Sequence, residues 1–277
     1  MFIDTHTHFY SRKFSHDREA AVQRARQAGV GGFYLPNIDS ASAEAMLAME
    51  AAHPDRFFAM MGLHPCSVQA ETLEEELGQV REWLDRRRFC AIGEIGIDLY
   101  WDTSTLDLQR AAFQQQIEWA KELDRPIVIH SRASIDLIID MLAEAADDRL
   151  RGIFHCFTGD EAQGQAIVEL GFLLGIGGVL TFKNGGLDKT LPALPLQAMV
   201  LETDSPYLAP TPHRGRRNES SYLPLIARRL AEVKGCSLEE IAEVTTHNAL
   251  KVFGPDRQFL PPEAGITAPD EARNTGK

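Results

Sequence analysis

The chain has 277 residues, 44% of them hydrophobic and 25% charged, with a formal net charge of −12 at pH 7. This is the composition of an ordinary globular protein, and the acidic balance excludes a polybasic protein that coats nucleic acid indiscriminately. No apolar run approaches the ~20 residues that cross a bilayer, and no basic region or cleavage site precedes the apolar start Met1-Phe2-Ile3, so a cytoplasmic protein without a membrane role is expected.

Short β-branched or aromatic runs bounded by turn residues recur along the chain. They predict strands at Met1–His6, Gly32–Pro36, Phe57–Leu63, Cys90–Ile95, Ile127–Ser131, Gly152–Phe157, Phe172–Gly178 and Ala198–Thr203. Most are continuous apolar runs, which suits buried parallel strands. Helical spacing fills the gaps: Leu73, Leu77, Val80 and Leu84 share one face, as do Leu223, Ile226, Leu230 and Val233. A helix over 106–124 should stop before Pro126, and Pro192 and Pro195 keep the seventh connection short or irregular. A loop over about 205–219 precedes a helix to about 235 and another near 238–253, the latter opened by a Ser237/Glu240 capping box.

Strands and helices alternating at an even spacing predict a (β/α)8 TIM barrel, a fold that takes about 250 residues as one domain. Residues 1–259 are read as that domain and 260–277 as a mobile tail without a catalytic part. Gly175-Ile176-Gly177-Gly178 falls inside a strand and is read as a close-packing feature, not a phosphate loop. The four cysteines form no C-x-x-C pair, which argues against a finger-type zinc site and a disulfide framework. Cys156 follows His155 and, on an extended strand, would point to the opposite face and pack.

In such a barrel the C-terminal strand ends converge on one rim. Asp4, His6 and His8 alternate, and two imidazoles two residues apart can reach one ion, although such pairs also arise on plain surfaces. Glu94 sits in an apolar, glycine-flanked strand and needs a cation, either a metal or a buried Arg such as Arg132. His130 and His155 end their strands, and either alone would suit a hydrogen-bonded core histidine. Asp204 follows the eighth strand, with Glu202 sharing its facing. Together, four histidines and two or three carboxylates suit two divalent ions of the Zn, Mn, Fe or Mg type.

On the segments F-I-D-T-H-T-H, G-L-H-P, A-I-G-E-I-G-I-D, I-V-I-H-S-R, F-H-C-F-T-G, L-G-I-G-G, L-E-T-D-S-P-Y-L and R-G-R-R-N-E, the chain resembles the TatD family of metal-dependent deoxyribonucleases, amidohydrolase-like metal hydrolases. The resemblance implies the barrel and two divalent ions (Mg, Mn or Zn) per subunit. By motif, His6 and His8 would bind one ion with Asp204, Glu94 would bridge both, and His130 and His155 would hold the second. Glu202 matches an acidic position that assists an additional ion or backs the site. Ile97 and Ser205 depart from the frequent Leu and Ala, and neither is a ligand.

The function expected is hydrolysis of DNA phosphodiesters, 3′-to-5′ on single strands or frayed ends, with Asp204 and Glu94 catalytic and Asp204 taking the proton of the attacking water. His64, Arg132, Arg214, Arg216 and Arg217 are candidate substrate contacts, Arg forks being matched to phosphate oxygens. For Arg132, pairing with Asp98 or Glu94 is the favoured role. Lys183 with Asn184 is a weaker candidate. Tyr100, Trp101 and Tyr207 can stack on bases. His16, His53 and His247 receive no role, and His213 is undecided. The alternative is an amide or ester hydrolase of the same superfamily, including one acting on an RNA-linked ester. No obligatory protein partner is evident.

Overall fold

The computed structural model describes residues 1–145 and 147–254; the tail expected over 260–277 lies outside them. Among the described residues the strands are β1 (Phe2–Asp4), β2 (Val30–Leu35), β3 (Phe57–Ala59), β4 (Ile92–Asp98), β5 (Ile127–Arg132), β6 (Gly152–Phe154), β7 (Leu173–Ile176) and β8 (Met199–Leu201). Between them run α1 (Arg18–Gln27), α2 (Ser40–Ala52), α3 (Leu73–Arg86), α4 (Leu106–Leu123), α5 (Ile135–Ala145), α6 (Glu161–Glu169) and α7 (Leu187–Thr190). Then come α8 (Leu223–Lys234) and α9 (Leu238–Phe253). Among the described residues no helix is long and apolar enough to cross a membrane.

All pairings are parallel and sequential, β1-β2-β3 in one sheet and β4-β5-β6-β7-β8 in another. Two parallel bridges join the sheets into a ring, Met61 to Ile92 and Thr7 to Ser205. At the second junction the Thr5 amide donates to Leu201 O (3.0 Å) and the Asp204 amide to His6 O (2.9 Å). The result is the predicted (β/α)8 barrel, with strands mostly shorter than predicted. Regular pairing stops at Asp4, Phe154 and Leu201, so His6, His8, His155 and Asp204 lie beyond the strands, where the chain is free to turn its side chains onto the rim.

Two apolar layers hold the ring. The outer one packs the sheet against the helices: Val80 and Leu84 of α3 and Leu223, Ile226 and Leu230 of α8 are buried in it, with Leu73, Leu77 and Val233 partly so. A separate inner cluster takes Ile3, Tyr34, Phe58, Val128, Ile153 and Val200 from six strands, together with Ala249, Val252 and Phe253 of α9. Phe253 stacks on Tyr34 at 3.9 Å, so α9 closes the inner layer at the end away from the site. The Ser237 hydroxyl accepts the Glu240 amide at 3.1 Å and starts α9, which is the serine half of the expected capping box. On β5, β6 and β8 the inner residues Val128, Ile153 and Val200 stand two before His130, His155 and Glu202, so strand alternation carries the inward facing from core to site.

Candidate metal centre

Glu94 lies at the middle of the rim. The β4–β5 register shifts between Gly93 and Ile95, which makes Glu94 the extra residue of a bulge and re-aims its carboxylate. Gly96 permits this packing: it has φ +139°, and a Cβ there would lie 2.1 Å from His130 O. The Glu94 side chain is buried. Its Oε2 faces His6 Nε2 at 3.1 Å and His8 Nε2 at 4.0 Å. Its Oε1 faces His130 Nδ1 at 2.9 Å, His64 Nε2 at 3.3 Å and His155 Nε2 at 3.9 Å. One carboxylate therefore stands between two sets of imidazoles. Asp204 completes the first set, its Oδ1 lying 3.4 Å from His8 Nε2, 3.9 Å from His6 Nε2 and 4.0 Å from His155 Nε2.

The outer nitrogens of His8 and His130 are held from behind. His8 Nδ1 bonds the Tyr10 hydroxyl at 2.8 Å, and that hydroxyl donates to Pro36 O at 2.6 Å. The tyrosine proton is thus engaged elsewhere, so His8 Nδ1 is the donor and its Nε2 carries the lone pair turned to the centre. His130 Nε2 bonds Asp98 Oδ2 at 2.8 Å. His155 Nδ1 lies 2.9 Å from Glu202 Oε1, out of hydrogen-bond alignment, while that oxygen accepts the Cys156 amide at 2.7 Å. Oxygen partners on the far nitrogen orient metal-ligating histidines and raise their basicity. The sequence reading missed Asp98 and Tyr10 in this role. Their only signal was spacing: Asp98 follows Glu94 by four on the same strand, and Tyr10 follows His8 by two.

Burial pushes the Glu94 carboxyl up, but the His64 and His6 imidazoles and the His130 bond reverse this and hold it well below the ordinary carboxylate range. Burial also opposes charge on His155, yet Glu202, Glu94 and Asp204 raise it to about 10. Asp98, raised by burial, is brought down to about 2 by its bond to His130. His6 moves the other way: burial and the His155 ring, stacked on it at 3.4 Å, depress it. Neither ring nitrogen of His6 has a hydrogen-bond partner, and Glu202 Oε2 has none either. Buried donor atoms left unsatisfied beside clustered carboxylates are what a cation would complete. Three overlapping groups have ligand atoms within 4.8 Å of one another: His6 with His8 and Asp204; His64 with Glu94 and His130; and His6 with His155 and Glu202. The nitrogen and oxygen donors fit divalent ions.

The family model for TatD-related DNases matches residues 3–254. The chain belongs to the TatD-related DNase family. Among its relatives is the uncharacterised metal-dependent hydrolase YabD of Bacillus subtilis, 35% identical over 91% of this chain and 99% of that protein. Another, from Rahnella, is named a 3′-5′ ssDNA/RNA exonuclease TatD and is 33% identical over 88% of this chain and 94% of that protein. The crystal structure of the TatD homologue YjjV from Escherichia coli superimposes with a TM-score of 0.85 at 32% identity, covering 91% of this chain and 97% of that one. Membership in the TatD-related family makes the chain a metal-dependent hydrolase.

Around this TatD-type centre the cleft has a volume of about 690 Å³ and is lined by His64, Arg132, Cys156 and Tyr207 among others. Several sequence expectations change here. Arg132 is exposed and does not pair with Asp98 or Glu94; its guanidinium lies 3.7 Å over the Tyr100 ring, because His130 already occupies both carboxylates. Cys156 lines the cleft: β6 has ended, and φ +47° at Cys156 breaks the alternation that would have turned the thiol away. Arg217 points away from the cleft, paired with Asp17 at 2.5 Å and Glu219 at 3.4 Å and stacked on Phe14. Arg214 lies over Phe182 at 3.4 Å and Arg216 is exposed, and neither lines the cleft, nor does Lys183. His213 stacks on Tyr222 at 4.0 Å and is read as packing. Gly175 and Gly177 make room for the Glu202 carboxylate, which gives the close-packing reading its reason.

Proposed function

We propose that this centre hydrolyses phosphodiester bonds of DNA, trimming single strands or frayed ends from the 3′ side. The observation that carries the reading is Glu94, whose two oxygens face two separate sets of imidazole nitrogens. His6, His8 and Asp204 would hold one divalent ion, His130 and His155 a second, and Glu94 both. Bound there, Mg, Mn or Zn would supply Lewis acidity toward phosphate oxygens and make a water easier to deprotonate. Glu202 backs His155, within 2.9 Å of its Nδ1.

The remaining chemistry belongs to the chain. Asp204, partly exposed in the cleft, would accept the proton of the attacking water. His64 works from the other side. Its Nδ1 accepts the Cys66 amide at 3.0 Å, so the neutral ring carries its proton on Nε2, facing Glu94 and His130. A nitrogen bearing a proton is a donor and not a ligand. His64 would donate to a phosphate or leaving oxygen, and Arg132 lines the same cleft. The name of the Rahnella relative supports a 3′-5′ action on single strands.

The test is a panel of end-labelled single- and double-stranded DNA, RNA, and small esters and amides, each with Mg²⁺, Mn²⁺ or Zn²⁺. The 3′ end of single-stranded DNA should shorten stepwise. Glu94→Ala should lose both bound metal and cutting. A fully active Glu94→Ala protein, or turnover of esters with DNA untouched, would overturn the reading.

A further inference from the structure

We propose that the mouth of the cleft is a two-sided stacking clamp for unpaired nucleotides, with Trp101 as one platform and Tyr207 as the other. The clamp rests on the nuclease reading above and names what selects the single strand.

Large apolar side chains left in water usually mark a contact surface when they cluster. Among the described residues the exposed ones are Met1, Tyr100 (60% exposed), Trp101 (70%), Tyr207 (47%) and Leu208 (40%). All but Met1 belong to two loops, one after β4 and one after β8. In a ring of eight strands in sequential order, the fourth and eighth are opposite one another, so the two loops face each other across the mouth. Trp101 and Tyr207 both line the cleft that holds Glu94 and Asp204.

Each platform is tied to the centre it overlooks. The Trp101 and Tyr100 amides donate to Asp98 Oδ1 at 3.2 and 2.9 Å, the carboxylate whose other oxygen holds His130. The Tyr207 amide donates to Asp204 O at 2.8 Å, and its ring meets His8 edge to face at 5.9 Å. Each platform also carries a cation. Arg132 lies over Tyr100 and 5.3 Å from the Trp101 ring, and Lys13 Nζ lies 4.4 Å over Tyr207. Neither cation has a carboxylate partner among the described residues, so each is available to a phosphate.

An exposed ring beside an unpaired cation suits a nucleotide, with the base on the ring and the phosphate on the charge. Two such stations on opposite sides of Glu94 place the bases flanking the scissile phosphate. Bases in a duplex are covered on both faces by their neighbours and cannot lie on either ring without unpairing. A clamp of this kind accepts any base and rejects paired ones.

The test uses Mg²⁺-loaded protein and a phosphorothioate-linked single strand, which resists hydrolysis, with an abasic strand of equal length and a duplex as comparisons. Intact single strand should bind on the order of ten-fold or more tighter than the abasic one. Trp101→Ala and Tyr207→Ala should each remove most of that difference, and Trp101→Phe and Tyr207→Phe should restore it. Tryptophan emission should be quenched on binding, since Trp119 is buried and Trp83 partly so. Equal affinity for the intact and abasic strands, or alanine variants that bind as the parent does, would overturn the clamp. Hydrolysis of bis(p-nitrophenyl) phosphate by the parent protein separates the two readings: cutting with no base dependence sinks the clamp alone, and no cutting with no strand binding sinks both.

Discussion

Gly175 and Glu202 share one space: a Cβ on Gly175 would lie 2.3 Å from Oε2 of Glu202. The glycine on β7 is thus the empty half of a cradle whose other half is the carboxylate behind His155. Gly175→Ala should displace that carboxylate and release the imidazole it faces. Metal affinity should fall roughly 10- to 100-fold, the usual cost of losing such a partner, as measured by competition with a chromogenic chelator. Unchanged affinity would mean that Glu202 does not position His155.

Asp98 offers a parallel case on the other side. Its Oδ2 bonds His130 Nε2 at 2.8 Å, while its Oδ1 caps the turn carrying Tyr100 and Trp101. Asp98→Asn keeps the shape and removes the charge. Calorimetric titration with Mn²⁺ should show weaker binding, by about ten-fold or more, with circular dichroism unchanged. Full-strength binding would reduce Asp98 to a loop anchor.

His64 should separate binding from turnover. Its Nδ1 accepts an amide, which leaves Nε2 as a donor. His64→Asn should retain the parent metal content by elemental analysis while kcat on single-stranded DNA falls by roughly 100-fold, the scale of a lost proton donor. Loss of one equivalent of metal would make His64 a ligand instead.

The pH dependence follows from His155. In the ion-free protein its folded value lies near 10, above the ordinary 6.5. A raised imidazole contributes stability that is complete below 6.5 and disappears as pH rises through 10. Metal binding requires the neutral ring, so it strengthens over the same interval as the proton leaves. The difference in Tm between metal-loaded and chelated protein should therefore widen from about pH 6.5 to pH 10. A constant difference would show that His155 does not exchange its proton for metal.

Arg217 is expected to matter for stability and not for substrate. It joins Asp17, Glu219 and Arg24 in a half-buried network between α1 and the loop before α8, and covers Phe14. Arg217→Ala should cost on the order of 1 kcal/mol by urea unfolding, given its partial exposure, and leave the KM for DNA and its salt dependence unchanged. A raised KM would return it to the substrate path.

The barrel and the grouping of its rim residues were legible in the sequence for a physical reason. Apolar runs at even spacing leave few architectures, and a carboxylate such as Glu94 inside one of them demands a cation. What stayed hidden depended on directions that spacing does not encode. Arg132 and Arg217 are one residue type in suggestive segments, yet one lies on Tyr100 and the other is locked to Asp17, a partner 200 positions away. Cys156 left the pattern because its backbone turns left-handed. Asp98 was visible as a charge, but its bond to His130 exists only once β4 and β5 are in register.

The ring itself is two sheets meeting at two seams, each marked by a single bridge, Met61 to Ile92 and Thr7 to Ser205. The donors divide along those seams. His6 and His8 follow β1 of the smaller sheet, while Glu94, His130, His155 and Asp204 belong to the larger. An ion gripped from both sides would rivet the joint, and the same atoms that ready it for chemistry would fasten the wall of the vessel. Chelation should then speed amide exchange at Thr5 ahead of the paired strand interiors, so that loss of the catalyst and loosening of its container are one event.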